Sequence, residues 1–104
     1  MLIPREVIEK VGMFDERFFL YFEDLDYCLR TAKSGYTIHI TPGVVATHLG
    51  SAGTNVLART KYQWASHRAF VLKHFGHLAY PTALVYDFVF YPLVLLKIVL
   101  SGKH

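Results

Sequence analysis

Three carboxylates follow directly on a run of aromatic residues. Residues 18–30 read FFLYFEDLDYCLR, in which Glu23, Asp24 and Asp26 come after four aromatic side chains. Asp24 falls where a helical pattern begins, and the free backbone N–H groups and the helix dipole stabilise a carboxylate there. Such a carboxylate stays ionised near neutral pH and suits a general base that takes a proton from an alcohol. The spacing alone favours the simpler interpretation, a helix N-cap with an acidic first turn.

A histidine follows the second of two short β-type segments. His48 opens a loop that contains Gly50 and Gly53. An imidazole in this position can ligate a metal ion through one nitrogen. A metal site needs further ligands, and the sequence holds none at HxH, HxxxH or CxxC spacing. The residues by themselves therefore do not predict a metal site.

A basic stretch places cations near aromatic side chains. Lys61, Arg68 and Lys73 lie within residues 58–75, beside Trp64. These cations suit the phosphates of a nucleotide, a solvated helix face or an anionic membrane surface, and the residues leave the three open. Nucleic acid is poorly supported as a partner, because the net charge is only +3 and no RNA- or DNA-binding motif is present.

Three helices are predicted to carry these groups. Proline at the start and glycine after the end delimit a first helix, Pro4 to Val11. A second is predicted from Asp24 to Ser34, and a third from Ala58 to Phe75. Helical spacing predicts a buried stripe on the second helix and another on the third. The stripes comprise Leu25, Cys28, Leu29 and Ala32, and then Tyr62, Ala65, Ala69 and Leu72.

The remaining faces of these helices are predicted to meet solvent. In the second helix, Asp26 and Arg30 point away from the apolar stripe and form a favourable i, i+4 ion pair.

Two short strands are predicted after the second helix. Residues 36–41 alternate as a strand does, Pro42-Gly43 marks a turn, and residues 44–47 are predicted to form the second strand.

The C-terminal stretch is much more apolar than the rest. Residues 78–100 are apolar apart from Asp87 and Lys97, and about 20 such residues are enough to span a membrane. Pro81 and Pro92 make a bent pair of helices at the membrane surface an equal alternative. A helix buried against another domain is less favoured, because the stretch is apolar all round. We therefore divide the chain into residues 1–76 and a membrane-associated tail, residues 77–104.

The composition is that of one small folded domain. The chain has 104 residues, of which 53% are hydrophobic and 15% aromatic, so it is not disordered. Its one cysteine, Cys28, excludes an intramolecular disulfide and a Cys-rich zinc site, and favours a reducing cytoplasmic setting. No P-loop, GxGxxG or GxSxG motif is present.

The acidic motif and its surroundings resemble a known family. VGMFDERFFLYFEDLDYCLRTAKSGYTIHITPGVVATHLGS fits the pattern GxFDExFFxYxEDxDxxxR, then a Gly-Tyr pair, two strands and a histidine with glycines. Over residues 5–75 the chain resembles the C-terminal half of the catalytic domain of bacterial family 2 glycosyltransferases, with the rhamnosyltransferase-like group nearest. The segment around His67 and Arg68 fits the family's next helix imperfectly, since the family commonly has Arg-Asn there.

The resemblance implies a fold and a reaction. The fold is α/β, the C-terminal portion of a GT-A fold, mostly helical with a short two-strand segment and hydrophobic C-terminal helices. The reaction is an inverting transfer from a nucleotide-sugar donor to a saccharide or lipid-linked acceptor in cell-surface polysaccharide synthesis. The expected location is the cytoplasmic face of the cell membrane.

The resemblance also implies roles for particular residues. Asp24 is the expected catalytic base, with Glu23 beside it at the acceptor. A divalent metal, Mg or Mn, offsets the charge on the departing diphosphate. The other expected contacts are the acceptor with Phe18, Phe19 and Tyr21, the donor phosphates with Lys61 and Arg68, and the metal with His48.

The chain departs from the family in one respect. The family's nucleotide-binding half and its DxD motif are not in this sequence, and Asp24-Leu25-Asp26 matches the later acidic motif. We therefore expect the isolated chain to be inactive, to bind a metal only together with that half, and to need a partner or to self-associate. The alternative is a non-catalytic, membrane-tethered remnant or partner subunit.

Overall fold

The structure is a computed structural model that describes residues 1–47 and 56–100, and in these ranges the regular elements are helices. The main helices are α1 (Arg5–Val11), α2 (Glu23–Lys33) and α3 (Val56–Phe75). The three predicted helices are therefore confirmed to within two residues at their ends. The C-terminal elements are a 3₁₀ turn (His77–Ala79), α4 (Tyr80–Val85), a π-helical segment (Tyr86–Phe90) and α5 (Tyr91–Leu100).

Local sequence signals set the ends of α2. Three acidic residues lie in its first turn and two basic residues in its last, as the helix dipole favours. Gly35 takes a φ of 90°, which costs glycine little. The N–H of Gly35 then donates a hydrogen bond to the carbonyl of Ala32, and the N–H of Tyr36 donates one to the carbonyl of Thr31. These two hydrogen bonds form a Schellman motif, which ends the helix and turns the chain away.

The buried side of α2 is not the side that the apolar spacing predicts. Leu25 and Ala32 are exposed, whereas Asp26, Tyr27 and Thr31 are buried. The prediction of a buried apolar stripe on α2 is therefore wrong. The reason lies in the tertiary packing, because charged side chains from α3 lie against the polar side of α2. The ring of Phe14, from the loop before α2, packs there too, with its centroid 4.8 Å from that of Tyr27.

The same correction applies to α3. Among residues 58–75 of this helix Ser66 and Val71 are buried, while the predicted core positions Tyr62 and Ala65 are exposed. Ser66 faces the loop that precedes α2 and donates a hydrogen bond to a backbone carbonyl there.

Residues 36–47 do not form the two predicted strands in the described part of the chain. They carry no helix or strand, and after Tyr36 every residue of the segment is exposed. A strand needs a second strand to receive its N–H and C=O groups, and the described residues provide none. The α/β GT-A fold stays a prediction.

The prolines of the tail lie close to element boundaries. Pro81 stands second in α4, in the first turn that suits a proline, and Pro92 stands second in α5, directly after the π-helical segment. Ala83 of α4 is buried, and α4 packs against α3. Within residues 1–47 and 56–100, no helix has both the length and the apolar character needed to cross a membrane.

Candidate functional site

Asp24 lies exposed in the first turn of α2. The N-cap residue is Phe22, so Asp24 is the second helical residue rather than the cap itself. Its carboxylate accepts a hydrogen bond of 2.8 Å from the N–H of Leu25. Within the described residues no cation forms an ion pair with it. The carboxylate is therefore oriented by the helix terminus and open to a molecule arriving from solvent.

Glu23 occupies an intermediate position beside Asp24. Its side chain is half-buried, and one carboxylate oxygen, Oε2, is fully buried with no hydrogen-bond partner in the part of the chain that the structure describes. Buried polar atoms normally have partners, because leaving one unpaired costs about 1–3 kcal/mol. An orphaned oxygen next to Asp24 marks this turn as a place that a further polar group can complete.

The turn before the acidic pair is strained. Tyr21 and Phe22 both have a φ of 68°, in the left-handed region that residues with a Cβ seldom adopt. Each such residue costs about 1–2 kcal/mol relative to right-handed backbone. Strain of this kind persists only where the surroundings hold it, and it concentrates at functional sites. The sequence gives no sign of it, because neither position is Gly, Asn or Asp.

Helix α3 holds this strained turn in place. The hydroxyl of Ser66 donates a 2.9 Å hydrogen bond to the carbonyl of Leu20. Arg59 Nε donates a 3.0 Å hydrogen bond to the Tyr21 hydroxyl. The contacts join residues 38 and 46 positions apart, so α3 fixes the chain at the point where α2 begins.

The aromatic residues before the acidic pair divide into core and surface. Phe18 is 5% exposed and lies in the core, which corrects its predicted place in an acceptor pocket. Phe19 is 76% exposed, with its ring 5.0 Å from that of Tyr62. Tyr21 is half-buried and is held through its hydroxyl. Of the three aromatic side chains predicted to line an acceptor pocket, Phe19 and Tyr21 are therefore the two that solvent reaches.

Asp26 is the charged centre of the packing rather than a surface residue. Its carboxylate has no exposed area, and it lies 2.8 Å from Arg30 Nε, 2.7 Å from His74 Nε2 and 2.5 Å from Lys73 Nζ. Burial opposes its ionisation, but hydrogen bonds from Lys73, His74 and Arg30 outweigh burial, so its pKa lies below the usual value. The Asp26–Arg30 pair is confirmed, whereas its predicted outward position is wrong.

Lys73 extends this charge network to the loop before α2. Its ammonium is 2.7 Å from the carboxylate of Asp15, which also pairs with Arg17 at 2.6 Å. The hydrogen bonds from Arg17 and Lys73 hold the pKa of Asp15 well below its usual range, and Asp15 in turn raises the pKa of Arg17. The FDER motif is thus fastened to the same cation that contacts Asp26.

Arg30 ties α2 to the end of α1. While Nε contacts Asp26, its two terminal nitrogens donate hydrogen bonds to the carbonyls of Val11, at 2.7 Å, and Met13, at 2.8 Å. Val11 is the last residue of α1 and Met13 lies just beyond it, so a single guanidinium satisfies a helix terminus and a buried carboxylate together.

A second buried carboxylate, Asp87, fastens the tail to α3. It has no exposed area and lies 2.9 Å from His67 Nδ1 and 2.8 Å from Arg68 Nε. The Arg68 guanidinium also lies over the rings of Trp64 and Phe88. Arg68 therefore contacts the tail, whereas the sequence predicts that it binds a donor phosphate. Lys61, the other residue predicted to bind that phosphate, is exposed.

The described residues do not form a metal site. No group of three or more His, Cys, Asp or Glu side chains in residues 1–47 and 56–100 could hold a metal ion. His48, the predicted ligand, lies outside the described residues. The described residues therefore do not fit a bound divalent cation by themselves.

Sequence patterns missed both buried carboxylates for different reasons. For Asp87 the sequence does hold a signal, since a single acidic residue within an apolar stretch is a candidate for a buried ion pair. Its partners in the structure are His67 and Arg68. Asp26 left none, because its partners Lys73 and His74 lie almost 50 positions away. Its acidity made it look like part of a solvated first turn.

Two curated proteins are similar to part of this chain. The dTDP-rhamnosyl transferase RfbF of Shigella flexneri is 38% identical over 47 residues. The rhamnosyltransferase WbbL of Escherichia coli K12 is 30% identical over 64 residues. The chain is rhamnosyltransferase-like over part of its length. No protein-family profile matches it, and no solved structure does.

The similarity is partial in both directions. The matched stretches cover 45% and 62% of this chain but only 16% of RfbF and 24% of WbbL. The chain thus corresponds to a minor part of each rhamnosyltransferase, and the greater part of each relative has no counterpart in the alignment.

Proposed function

We propose that this chain is the acceptor-side, catalytic-base portion of an inverting glycosyltransferase of the family 2 type with a GT-A fold. The intact enzyme transfers a sugar from a nucleotide-sugar donor to a saccharide or lipid-linked acceptor in cell-surface polysaccharide synthesis. The similarity to two rhamnosyltransferases supports the reaction class, and rhamnose is the sugar class we favour. The isolated chain is proposed to be inactive.

One observation carries this proposal: the contrast between Asp24 and the other three aspartates of the chain. Asp15, Asp26 and Asp87 each contact cationic side chains within the fold. Asp24 is exposed at the N-terminus of α2, directly after the strained residues Tyr21 and Phe22. A carboxylate that the fold orients but does not neutralise has the properties of a general base for an external hydroxyl.

The chemistry assigned to this chain is proton removal and acceptor placement. Asp24 takes the proton of the acceptor hydroxyl while the oxygen of that hydroxyl forms a bond to the anomeric carbon. The bond from that carbon to the diphosphate oxygen breaks, the diphosphate leaves with the electron pair, and the anomeric configuration inverts. Glu23, Phe19 and Tyr21 lie beside Asp24 and contact the acceptor. Donor recognition and any divalent cation belong to residues outside the described part.

The tail is proposed to lie on the cytoplasmic face of the membrane. The buried Asp87 faces α3, so the polar group of this stretch is turned away from its outer surface. The outer surface is apolar apart from Lys97, and the large apolar side chains at least half exposed in the described tail are Leu78, Val85, Phe88, Phe90, Leu93, Leu96 and Leu100. An apolar helical surface of this kind binds at the boundary between headgroups and acyl chains, where lipid-linked acceptors lie.

A second candidate function is a non-catalytic, membrane-tethered remnant or partner subunit. The small share of each relative that the chain matches favours it, since most of a complete transferase lies outside the matched stretch. This alternative predicts that the acidic pair can be changed without consequence for any transfer reaction.

A graft experiment separates the two functions. The part of RfbF that corresponds to residues 5–75 of this chain is replaced by those residues, and rhamnosyl transfer from a dTDP-rhamnose donor is measured. A catalytic-base portion retains transfer, because Asp24 then supplies an oriented carboxylate. A folded graft with no transfer would favour the remnant, provided that a back-graft of RfbF's own stretch by the same route is active.

A further inference from the structure

His67 of α3 contacts both the strained turn and the tail. Its ring centroid is 5.4 Å from that of Phe22, the N-cap residue of α2. The same ring meets Tyr86 of the π-helical segment edge-on, with a centroid distance of 4.7 Å. Its Nδ1 atom is 2.9 Å from the carboxylate of Asp87, which follows Tyr86 in the chain. One side chain of α3 therefore joins the residue before α2 to two residues of the tail.

Phe22 needs packing of this kind because its backbone is strained. Its φ of 68° lies in the left-handed region, which is unfavourable for a residue with a Cβ. Its ring packs against two rings of α3, those of His67 and Phe70, each with a centroid distance of 5.4 Å. The strain and the contribution of one aromatic pair are of the same order. Loss of the His67 ring is therefore enough to change the balance that holds the turn.

The backbone of Phe22 also determines where Asp24 lies. The carbonyl of Phe22 accepts a 2.9 Å hydrogen bond from the N–H of Asp26, which closes the first turn of α2. Asp24 lies within this turn, and its carboxylate accepts the N–H of Leu25 at 2.8 Å. A change of backbone conformation at Phe22 would open the turn and release the carboxylate from its orientation.

The tail fixes the His67 ring through Asp87. Both oxygens of this fully buried carboxylate are in use, one with His67 and the other with Arg68 Nε at 2.8 Å. A carboxylate held by two charge-assisted contacts has little freedom, and it restricts the imidazole in turn. Asp87 belongs to the π-helical segment Tyr86–Phe90, and such segments are rare and frequently lie at functional sites.

We propose that His67 is a positioning residue for Asp24, through which packing of the tail on α3 controls the turn before the acidic pair. While the tail is packed, Tyr86 and Asp87 hold the ring against Phe22, and the carboxylate of Asp24 keeps its orientation. When the tail leaves α3, the ring loses both contacts and the strained turn relaxes. Sugar transfer is then efficient only while the tail is packed. The inference rests on the proposed function, because it concerns the base assigned there.

Amide hydrogen exchange in the full chain tests this coupling without an activity assay. The reporter is the amide of Asp26, which is protected while it bonds to the carbonyl of Phe22. The reference is the amide of Gly12, which bonds to Ile8 at the end of α1 at 2.8 Å. The ratio of the two exchange rates, measured by NMR, reports local opening of the turn, because unfolding of the whole chain exposes both amides.

Two substitutions of His67 separate its two contacts. His67→Asn keeps a hydrogen-bond donor near the position of Nδ1 but removes the ring. The amide of Asp26 should then exchange about tenfold faster relative to that of Gly12, while the emission of Trp64, which packs against the tail, stays unchanged. His67→Phe restores the ring and should return the ratio to within about twofold of the parent. A residue that only anchors the tail would give the opposite order.

Asp87→Ala tests the link to the tail. It removes the shared anion without changing Phe22 or His67, so the tail should loosen and the emission of Trp64 should shift to longer wavelength. The amide of Asp26 should again exchange about tenfold faster relative to the reference amide. Lys97→Ala, at an exposed position of the tail, is the control and should change neither measurement.

Three results would overturn the inference. In the first, His67→Asn leaves the exchange ratio at the parent value. In the second, His67→Phe raises the ratio as much as His67→Asn does. In the third, Asp87→Ala leaves the ratio unchanged, so the tail does not act on the turn.

The effect on transfer is measured in an RfbF graft extended to residue 100 of this chain. His67→Asn should lower kcat by about tenfold and leave the KM for dTDP-rhamnose within about twofold, because the donor does not contact the turn. An unchanged kcat would contradict the positioning role. A parent graft that transfers no sugar, together with the expected exchange ratios, would instead contradict the proposed function and leave the coupling of tail and turn standing.

Discussion

At the scale of single residues, two aspartates only two positions apart lie in opposite surroundings, one exposed and one buried. Asp24 is exposed and oriented by the start of α2, whereas Asp26 has no exposed area and contacts Arg30, Lys73 and His74. Sequence identified the first, because a helix N-terminus is a local feature. It could not identify the burial of the second, because Lys73 and His74 come from a distant helix whose contact with α2 has no local signature.

Replacing each aspartate by asparagine should separate stability from chemistry. Asp26→Asn removes the anion that Arg30 and His74 contact, while Lys73 keeps Asp15, so the free energy of unfolding in urea should fall by about 3 kcal/mol. The control, Asp24→Asn, changes an exposed side chain and should alter it by less than about 1 kcal/mol. Equal losses in the two variants would contradict the different surroundings that the structure gives them.

The pH dependence of stability follows from the same network. The pKa values of Asp15 and Asp26 are lower in the folded chain than their ordinary value of 3.8. Their contribution is therefore complete above about pH 5, and it is lost as pH falls below about 4 toward the folded pKa values. Thermal unfolding followed by circular dichroism should show this loss in the parent chain. A variant carrying Asp15→Asn and Asp26→Asn should be less stable at pH 7 and show a flatter dependence.

At the scale of elements, the helices could be predicted but their faces could not. Proline and glycine mark the helix ends by restricting or freeing the backbone, which is why α1, α2 and the end of α3 agree with the sequence. Which face of α2 is buried depends on what packs against it, and here Lys73 and His74 of α3 outweigh the apolar spacing. The strands at residues 36–47 fail for a related reason, since pairing requires a partner that the described chain does not contain.

The contact between α3 and the tail should depend on Asp87. Asp87→Ala removes the anion that His67 and Arg68 share, so it should destabilise the chain by about 3 kcal/mol and loosen the tail. The ring of Trp64, the only tryptophan, has its centroid 5.4 Å from that of Phe88 in the tail. The fluorescence of Trp64 should therefore shift to longer wavelength as the tail loosens and water reaches the ring. Lys97→Ala, at an exposed tail position, is the control and should leave the emission unchanged. An unshifted Asp87→Ala spectrum would show that this carboxylate does not hold the tail.

At the scale of the whole molecule, the chain has a small core and two large exposed apolar regions. Its buried hydrophobic side chains are few, with Val7, Phe18, Tyr27, Val71 and Ala83 forming the core of the described part. One exposed region is the apolar stripe of α2 with residues 36–47, and the other is the outer surface of the tail, which we propose to lie on the membrane.

Membrane binding can be measured directly by co-sedimentation with vesicles that contain phosphatidylglycerol. The chain should bind through the tail, helped by its net charge of +3. Replacing Leu93 and Leu96 by glutamate should reduce the bound fraction by about tenfold or more, because both side chains are over half exposed on α5. Leu2→Glu, at a position 97% exposed in the N-terminal segment, should leave binding unchanged. Equal losses from both changes would place the membrane contact elsewhere.

The most direct test of Asp24 as the catalytic base uses the RfbF graft that carries the residues of this chain. Transfer to the acceptor is timed in a single turnover for the parent graft and for Asp24→Asn, with circular dichroism to confirm that both are folded. Loss of the proton acceptor should slow transfer by about 10²- to 10⁴-fold while the fold is kept. An Asp24→Asn graft that transfers at nearly the parent rate would contradict the role of Asp24 as the base.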